Sequence, residues 1–112
     1  MADQINFEDF EKVDIRIGTV VDAVVPEWSH WVMKLTVNLG EEIGERIIFA
    51  GVMKHYKPKE LIGKQFPFVV NIKPKKMGPE DDYSNGMLLA AGDDRPYLFS
   101  LQEKVANGTK VR

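Results

Sequence analysis

Three lysines and an asparagine lie close together on one short stretch of the chain. Asn71, Lys73, Lys75 and Lys76 surround Pro74. Ammonium groups donate charge-assisted hydrogen bonds to phosphate or carboxylate oxygens, and an amide adds both donors and an acceptor. The stretch therefore predicts an anion-binding surface. The alternative is that these lysines form the solvated end of a strand and hold no ligand.

The apolar residues before the lysines predict the strand that positions them. Neighbouring side chains on an extended backbone point to opposite faces of a sheet. Pro74 disfavours a helix and favours extended backbone at the residue before it. We therefore predict one strand over residues 66–77, with Lys75 kept on its outer face. The alternation assigns Phe66, Phe68, Val70 and Ile72 to the core face and Val69, Asn71 and Lys73 to the outer face.

The charge of the chain is unevenly distributed, although its net charge is only −2. Residues 54–76 contain seven lysines and one acid, whereas acids predominate in the remainder. Such segregation builds a basic face on an acidic protein, and local potential rather than net charge steers a polyanion. The alternative is that the lysines are scattered over the surface once the chain folds.

Length and composition narrow the class of protein. A chain of 112 residues is expected to form one domain, residues 1–112. The absence of cysteine excludes disulfides, thiolate catalysis and cysteine-ligated zinc. No apolar run approaches the roughly 20 residues of a membrane span, and the N-terminus lacks the features of a signal peptide. These observations predict a cytoplasmic protein that does not associate with membranes.

Alternating and turn-forming residues predict five strands. The first is Val13–Val25, where Gly18 marks a bend or bulge. The second and third, Val32–Leu39 and Arg46–Val52, are joined by a hairpin connection at residues 40–44. The fourth is the strand already described. The fifth, Gly86–Ala91, is predicted to be buried, and Tyr97–Leu101 is expected to form a short added strand.

The inward faces of the first two strands follow from the same alternation. The predicted inward residues of the first strand are Val13, Ile15, Ile17, Val21, Ala23 and Val25. Those of the second strand are Met33, Leu35, Val37 and Leu39. Five strands that curl around one core are expected to form a barrel.

Two short helices complete the predicted fold. Asn6 is positioned to cap an N-terminal helix, and Pro58 and Gly63 are typical of the beginning and end of a helical turn. A helical turn between the third and fourth strands is the plan of an all-β, five-stranded Greek-key OB-fold barrel. The alternative architecture is an SH3-like barrel.

Several other side chains are candidates for a function or for packing. Arg16 faces outward and is either free or paired with Asp14. Trp28 and Trp31 are either packing residues or surfaces on which bases stack. His30 has no neighbouring pattern that would recruit a metal ion, and the acids at 80–82 form either a solvated turn or a weak divalent-ion site. No metal or other cofactor is predicted.

Three segments together resemble a known family. They are Val13–Gly18 (VDIRIG), Val70–Met77 (VNIKPKKM) and Ser84–Ala91 (SNGMLLAA). In this order they are similar to the free-standing tRNA-binding domain family. The same module is appended to many methionyl-tRNA synthetases and to the endothelial-monocyte-activating polypeptide. The resemblance implies an OB-fold barrel and a homodimer that would cover Phe7 and Phe10.

The resemblance also implies tRNA binding without catalysis. The matched motif positions are Arg16, Asn71, Lys73, Lys75, Lys76, Ser84 and Met87. An alternative for two of them is structural, with Asn71 satisfying the end of a strand and Ser84 capping a turn. The implied partners are tRNA, a second copy of the chain and a methionyl-tRNA synthetase. The acids at 80–82 depart from the family pattern and are expected to weaken a phosphate site.

A second function remains open because the segment Val25–Trp31 resembles the CsaA branch of the family instead. CsaA proteins are secretion chaperones that bind unfolded precursor polypeptides. In that interpretation the floor of a peptide-binding groove is formed by Trp28, Trp31 and Phe49. An enzyme is the least favoured class, because the sequence contains no activated nucleophile, histidine–acid pairing, metal motif or phosphate loop.

Overall fold

The computed structural model describes all 112 residues. The helices are α1 (Phe7–Glu11), α2 (Gly40–Ile43) and α3 (Pro58–Leu61). The longer strands are β1 (Ile15–Val24), β2 (Met33–Asn38), β3 (Glu45–Ala50) and β4 (Gln65–Val69). Six two-residue strands follow: β5 (Lys75–Lys76), β6 (Tyr83–Ser84), β7 (Met87–Leu88), β8 (Ala90–Ala91), β9 (Tyr97–Leu98) and β10 (Lys110–Val111).

Five strands curl into a nearly closed antiparallel barrel. The sheet order is β3-β2-β1-β4-β7, and β10 pairs with β1 at its start. The chain before β7 returns to the free edge of β3, where the amide of Asn85 donates to the carbonyl of Ile47 at 2.9 Å. With α3 between β3 and β4, this architecture confirms the predicted OB-fold.

The core fills the barrel and follows the predicted alternation most closely on β2. Met33, Leu35 and Val37 are fully buried, and Ile48 and Phe68 face them from β3 and β4. Fully burying one such side chain contributes about 1.5–3 kcal/mol. The regular alternation of β2 holds because both of its neighbours are long strands that pair along most of its length.

The predicted facing of β1 is wrong near its middle. Its register with β2 shifts between Val20 and Asp22, which is the irregularity of a β-bulge. Val20, before the irregularity, is fully buried and Val21 is 43% exposed, both opposite to the prediction, whereas Ala23 beyond it is buried as predicted. Gly18 is not the bulge. It lets β2 approach closely, since a Cβ there would lie 2.7 Å from a methyl carbon of Val37.

The predicted single strand over residues 66–77 is also wrong. β4 ends at Val69, and pairing resumes only at β5. The amide of Val70 still donates to the carbonyl of Asp14, in register with the β1–β4 ladder. The return bond is missing, because the Asp14 amide donates to the side chain of Asn71 and the Val70 carbonyl accepts from the guanidinium of Arg46. Pro74 has no amide hydrogen to add to a sheet. Ile72 is consequently 42% exposed instead of lying in the core.

The fifth predicted strand is divided rather than continuous and buried. β7 pairs with β4, whereas β8 pairs with β9 in a separate hairpin. Met87, Ala90 and Ala91 are exposed, because this part of the chain lies at the edge of the barrel. The connection at residues 40–44 joins two antiparallel strands as predicted, but it forms the helical turn α2.

Helix α1 stands out from the barrel. Phe7 is 65% exposed and Phe10 is 37% exposed, and their ring centroids lie 6.4 Å apart. The barrel of the same chain therefore leaves Phe7 largely open and Phe10 partly open. None of the helices is long and apolar enough to cross a membrane.

Candidate nucleic-acid interface

Lys73, Lys75 and Lys76 lie on an arm of the chain between β4 and β7, residues 71–84, which we call the lysine hairpin. In its ladder Lys75 is opposite Ser84, and Lys76 is opposite Tyr83. Directly opposed residues of antiparallel strands point to the same face. Lys76 therefore shares one face of the hairpin with the exposed ring of Tyr83.

All three lysines of the hairpin are exposed, unpaired cations. The ion pairs of the structure join Lys12 to Asp9 and Arg16 to Asp14 and Glu42. None of them involves a lysine of the hairpin. Three ammonium groups on one short arm are thus available to an external anion, which is the electrostatic arrangement that phosphate contacts require.

The indole of Trp28 joins the hairpin to the loop between β1 and β2. A Cβ on Gly78 would collide with the indole ring, so only glycine lets Trp28 lie against this backbone. Trp28 also packs on Phe49 of β3, with ring centroids 5.8 Å apart. The contact fixes the β1–β2 loop and the lysine hairpin to the same side of the barrel.

Trp31 presents an open aromatic surface on the same loop. It is 54% exposed and packs over Gly51, where a Cβ would lie 3.2 Å from its ring carbon Cε3. The loop is ordered by the buried hydroxyl of Ser29, which accepts from the amide of Val32 at 2.8 Å. The two tryptophans thus differ, since Trp28 is half-buried and Trp31 is exposed.

Lys34 was not predicted as a site residue. It lies on β2 directly opposite Phe49, so its side chain shares the outer face of the sheet with the ring that Trp28 covers. It takes part in no ion pair. The alternation of β2 predicts only that Lys34 faces outward. It does not predict that Trp28 lies nearby.

The acids of the hairpin form a turn. The backbone carbonyl of Asp82 accepts from the amide of Met77 at 2.7 Å, and its carboxylate accepts from the amide of Glu80 at 3.3 Å. Glu80 and Asp81 are exposed. No group of three or more histidine, aspartate or glutamate residues is arranged to hold a metal ion.

Arg16 is committed to partners within the chain, and none of them is a lysine or an acid of the lysine hairpin. Its guanidinium donates to Asp14 at 2.7 Å, to Glu42 at 3.3 Å and to the carbonyl of Gly108 at 3.1 Å. The hydrogen bond with Asp14 raises the pKa of Arg16, against a smaller opposing effect of burial. The arginine therefore stays charged and ties β1 to α2 and the C-terminal segment.

Asn71 uses both ends of its amide to anchor the start of the hairpin. Its Oδ1 accepts from the amide of Asp14 at 2.9 Å, and its Nδ2 donates to the carbonyl of Lys12 at 2.6 Å. These bonds join the hairpin to the segment that precedes β1. The geometry is that of the structural alternative, an asparagine that satisfies a strand end.

Ser84 is buried at the point where the hairpin meets β3. Its hydroxyl accepts from the amide of Phe49 at 2.9 Å and donates to the carbonyl of Gly86 at 3.0 Å. Met87 lies opposite Val69 on β4 and is 43% exposed. The structure thus places the Ser84 hydroxyl inside and the Met87 side chain at the surface.

The chain matches, over residues 15–110, the family model described as "Putative tRNA binding domain". The chain belongs to the tRNA-binding domain family. A curated relative of this family is the methionine–tRNA ligase 1 of Sorangium cellulosum, which is 40% identical over 112 residues. That alignment covers 99% of this chain and 16% of the ligase, so the chain spans about one sixth of such a relative.

Two solved structures match this tRNA-binding domain over nearly its whole length. The MetRS-related protein from Pyrococcus horikoshii has a TM-score of 0.88 and 34% identity, covering 99% of this chain and 100% of that one. The chaperone CsaA from Bacillus anthracis has a TM-score of 0.86 and 32% identity, with coverage of 98% and 100%. The resemblance to both branches predicted from the sequence is confirmed.

Substituting Asn71 by alanine is expected to destabilise the tRNA-binding domain, because two backbone groups would lose their partner. Net losses of about 0.5–1.5 kcal/mol per hydrogen bond predict a decrease of about 1–3 kcal/mol in the free energy of unfolding. Urea denaturation measures it. Equal stability of Asn71→Ala and wild type would contradict the anchoring role.

Proposed function

We propose that this protein binds tRNA without catalysing a reaction. The binding surface consists of the lysine hairpin, the β1–β2 loop and the adjoining outer face of β2 and β3. The observation that carries the proposal is the packing of Trp28 against Gly78, which holds the two loops together. OB-folds bind oligonucleotides with these loops and with the face of their second and third strands.

The three hairpin lysines supply the electrostatic part of binding. Each ammonium that neutralises a phosphate releases condensed counterions, so the affinity falls as the salt concentration rises. Lys34 extends the cationic surface onto β2. Binding through these groups depends on RNA shape and charge more than on sequence, because phosphate contacts position a nucleic acid without reading its bases.

Exposed aromatic rings supply the second part. Trp31 and Tyr83 are open to solvent near the lysine hairpin and the loop that contacts it. Unstacked bases of single-stranded loops pack on such rings, at about 1–3 kcal/mol per base. Met87 is an exposed apolar contact for a base or a sugar. Arg16, Asn71 and Ser84 act as the scaffold that orders the surface.

A second copy of the chain is proposed to cover α1. The exposed rings of Phe7 and Phe10 form an apolar face that the barrel leaves open, and burial of such rings stabilises an interface. A homodimer would present two lysine hairpins to one tRNA. A methionyl-tRNA synthetase is a further proposed partner, because the curated relatives carry this domain within such a ligase. A cytoplasmic location follows from tRNA as the ligand.

The alternative function is that of a chaperone for unfolded precursor polypeptides. It is favoured by the exposed indole of Trp31 and by the neighbouring Val24 and Val25, which are also exposed. Apolar segments of an unfolded chain would bind here by burial of surface. Such binding would depend on the aromatic residues and only weakly on salt.

Two assays on the same preparation distinguish these functions. Filter binding measures the affinity for tRNA, and light scattering measures whether the protein prevents aggregation of a chemically unfolded substrate. The tRNA-binding proposal predicts retention of tRNA at low salt and little effect on aggregation. Suppression of aggregation that is lost in Trp31→Ala, together with no retention of tRNA, would support the chaperone instead.

A further inference from the structure

Arg95 lies between two tyrosine rings and has no polar partner in the chain. The carbon Cζ of its guanidinium is 5.4 Å from the ring centroid of Tyr56 and 4.8 Å from that of Tyr97. No carboxylate pairs with it, and its Nε is buried without any hydrogen-bond partner. The two terminal nitrogens form no hydrogen bond in the chain either, and they are not buried, so the outer edge of the guanidinium is open to an external acceptor.

The two rings are fixed in place by their own contacts. The hydroxyl of Tyr56 donates to the carbonyl of Pro96 at 3.1 Å, and the hydroxyl of Tyr97 donates to Asp94 at 3.3 Å. Gly92 has a φ of +110° and lies under the Tyr97 ring, where a Cβ would be 2.7 Å from Cδ2. The guanidinium is therefore held in one orientation before any ligand arrives, which lowers the entropy cost of binding.

The surroundings of this arginine are basic. Lys54 and Lys57 lie within two residues of Tyr56 in the chain, and Lys59 lies on α3. Lys64 lines, together with Tyr56, a cleft of about 210 Å³. All four lysines are exposed, and none of them takes part in an ion pair.

The acids nearby are fewer than these cations. They are Glu60, which also lines the cleft, and Asp93 and Asp94 in the turn before Arg95. The carboxylate of Asp94 accepts from Tyr97, and the side chain of Glu60 accepts from the amide of Lys57. Neither Asp93 nor Asp94 lies within ion-pair distance of Arg95.

We propose that Arg95 binds a phosphate group of RNA at a second contact, separate from the lysine hairpin. The planar fork of a guanidinium matches two oxygens of one phosphate. Four neighbouring lysines favour a ligand with several negative charges over a single carboxylate. Lys64 precedes β4 and the lysine hairpin follows it, and an extended strand of this length spans roughly 15 Å. Contacts at the two ends of such a strand engage different phosphates of one tRNA. This inference rests on the proposed tRNA-binding function.

Arg95→Gln tests the inference by removing the charge and retaining a polar side chain. It is expected to weaken tRNA binding about five- to tenfold and to reduce the salt slope by about 1, as for one lost phosphate contact. Arg95→Lys should keep the slope but bind less tightly than wild type. Because Arg95 and the two lysines share no partner within the chain, the effects of Arg95→Gln and Lys75→Ala/Lys76→Ala should combine additively in free energy.

A measurement on the unmodified protein covers the case in which Arg95→Gln does not fold. The Nε–H group gives its own ¹⁵N NMR signal, and that signal should shift when a tRNA or inorganic phosphate is added at low salt. Amides of the lysine hairpin report binding at the first contact. Hairpin amides that shift with tRNA while the Arg95 signal stays unchanged would overturn the inference and leave the proposed function standing.

If neither set of signals responds to tRNA, and filters retain none, the proposed function fails together with the inference. Unchanged tRNA affinity and salt slope in a folded Arg95→Gln protein would likewise overturn the second contact, provided that Lys75→Ala/Lys76→Ala still weakens binding. In the first result the wild-type protein does not bind tRNA, and both proposals fail. In the second it binds tRNA with normal affinity, and only the contact at Arg95 fails.

Discussion

Replacing Lys75 and Lys76 by alanine is expected to weaken tRNA binding by about 10- to 100-fold at moderate salt, because two phosphate contacts are lost. Both ammonium groups are exposed and unpaired, so no internal ion pair is broken by the change. The backbone pairing of β5 with β6 does not depend on these side chains. Filter binding at one fixed salt concentration measures the loss, and circular dichroism verifies that the fold is retained.

Two further variants test whether the affinity for tRNA depends on where the charges lie or only on the net charge of the protein. Lys110→Ala/Arg112→Ala removes two exposed cations on the far side of β1 from β4 and should leave the affinity within about twofold. Glu80→Gln/Asp81→Asn removes two acids from the hairpin and should strengthen binding. Equal losses in both lysine and C-terminal variants would show that only net charge matters and would contradict the hairpin assignment.

Replacing Ser84 by alanine is expected to lower the free energy of unfolding by about 2–4 kcal/mol, because it leaves two buried backbone groups without a partner. The Phe49 amide loses its acceptor, and the Gly86 carbonyl loses its donor. Both groups lie where the hairpin meets the open edge of β3. Urea denaturation measures the change, and binding of tRNA by the protein that remains folded should be nearly unaffected.

Ser100→Ala is the matched control for this substitution. Ser100 is exposed and forms no side-chain hydrogen bond, so its removal should change the stability by less than about 0.5 kcal/mol. A Ser84→Ala protein with wild-type stability and strongly reduced tRNA affinity would show that the hydroxyl contacts RNA. That result would contradict the scaffold role that its two hydrogen bonds indicate.

The barrel could be predicted because its longest strands carry a regular alternation. The assignment of β2 succeeds residue by residue, since both of its partners are long. The alternation fails at Val21, where one extra residue bulges out of the ladder, and sequence pattern does not reveal a register shift between strands. It fails again after Val69, where side chains of Asn71 and Arg46 take the backbone groups that would have formed the next bond between β1 and β4.

The candidate site could be predicted only in part for a related reason. The type of a residue shows which hydrogen bonds its side chain is able to form. Whether the side chain is available to RNA depends on how many of those bonds it already forms within the folded chain. The partner of the Asn71 amide is 57 residues away in the chain, and that of the Ser84 hydroxyl is 35 residues away. The lysines are easier to predict because exposed cations near a turn have few internal partners.

The sequence does not predict Lys34 and Arg95 as site residues, because their proposed roles depend on aromatic neighbours that are distant in the chain. Phe49 lies on the strand that follows Lys34, and Tyr56 precedes Arg95 by 39 positions. Arg95 also follows two acids in a turn, a context that suggests an ordinary surface ion pair. Only the folded chain shows that both acids leave the guanidinium unpaired between two rings.

The salt dependence of tRNA binding by the wild-type protein is the most direct test of the central claim that a cationic surface binds the RNA backbone. Filter binding from low to moderate salt should give a logarithmic affinity that falls linearly with the logarithm of the salt concentration. Each phosphate contact contributes roughly −0.7 to −0.9 to the slope of logarithmic affinity against logarithmic salt concentration, so three hairpin contacts predict a slope of about −2 or steeper. An affinity that does not change over this range would contradict the account.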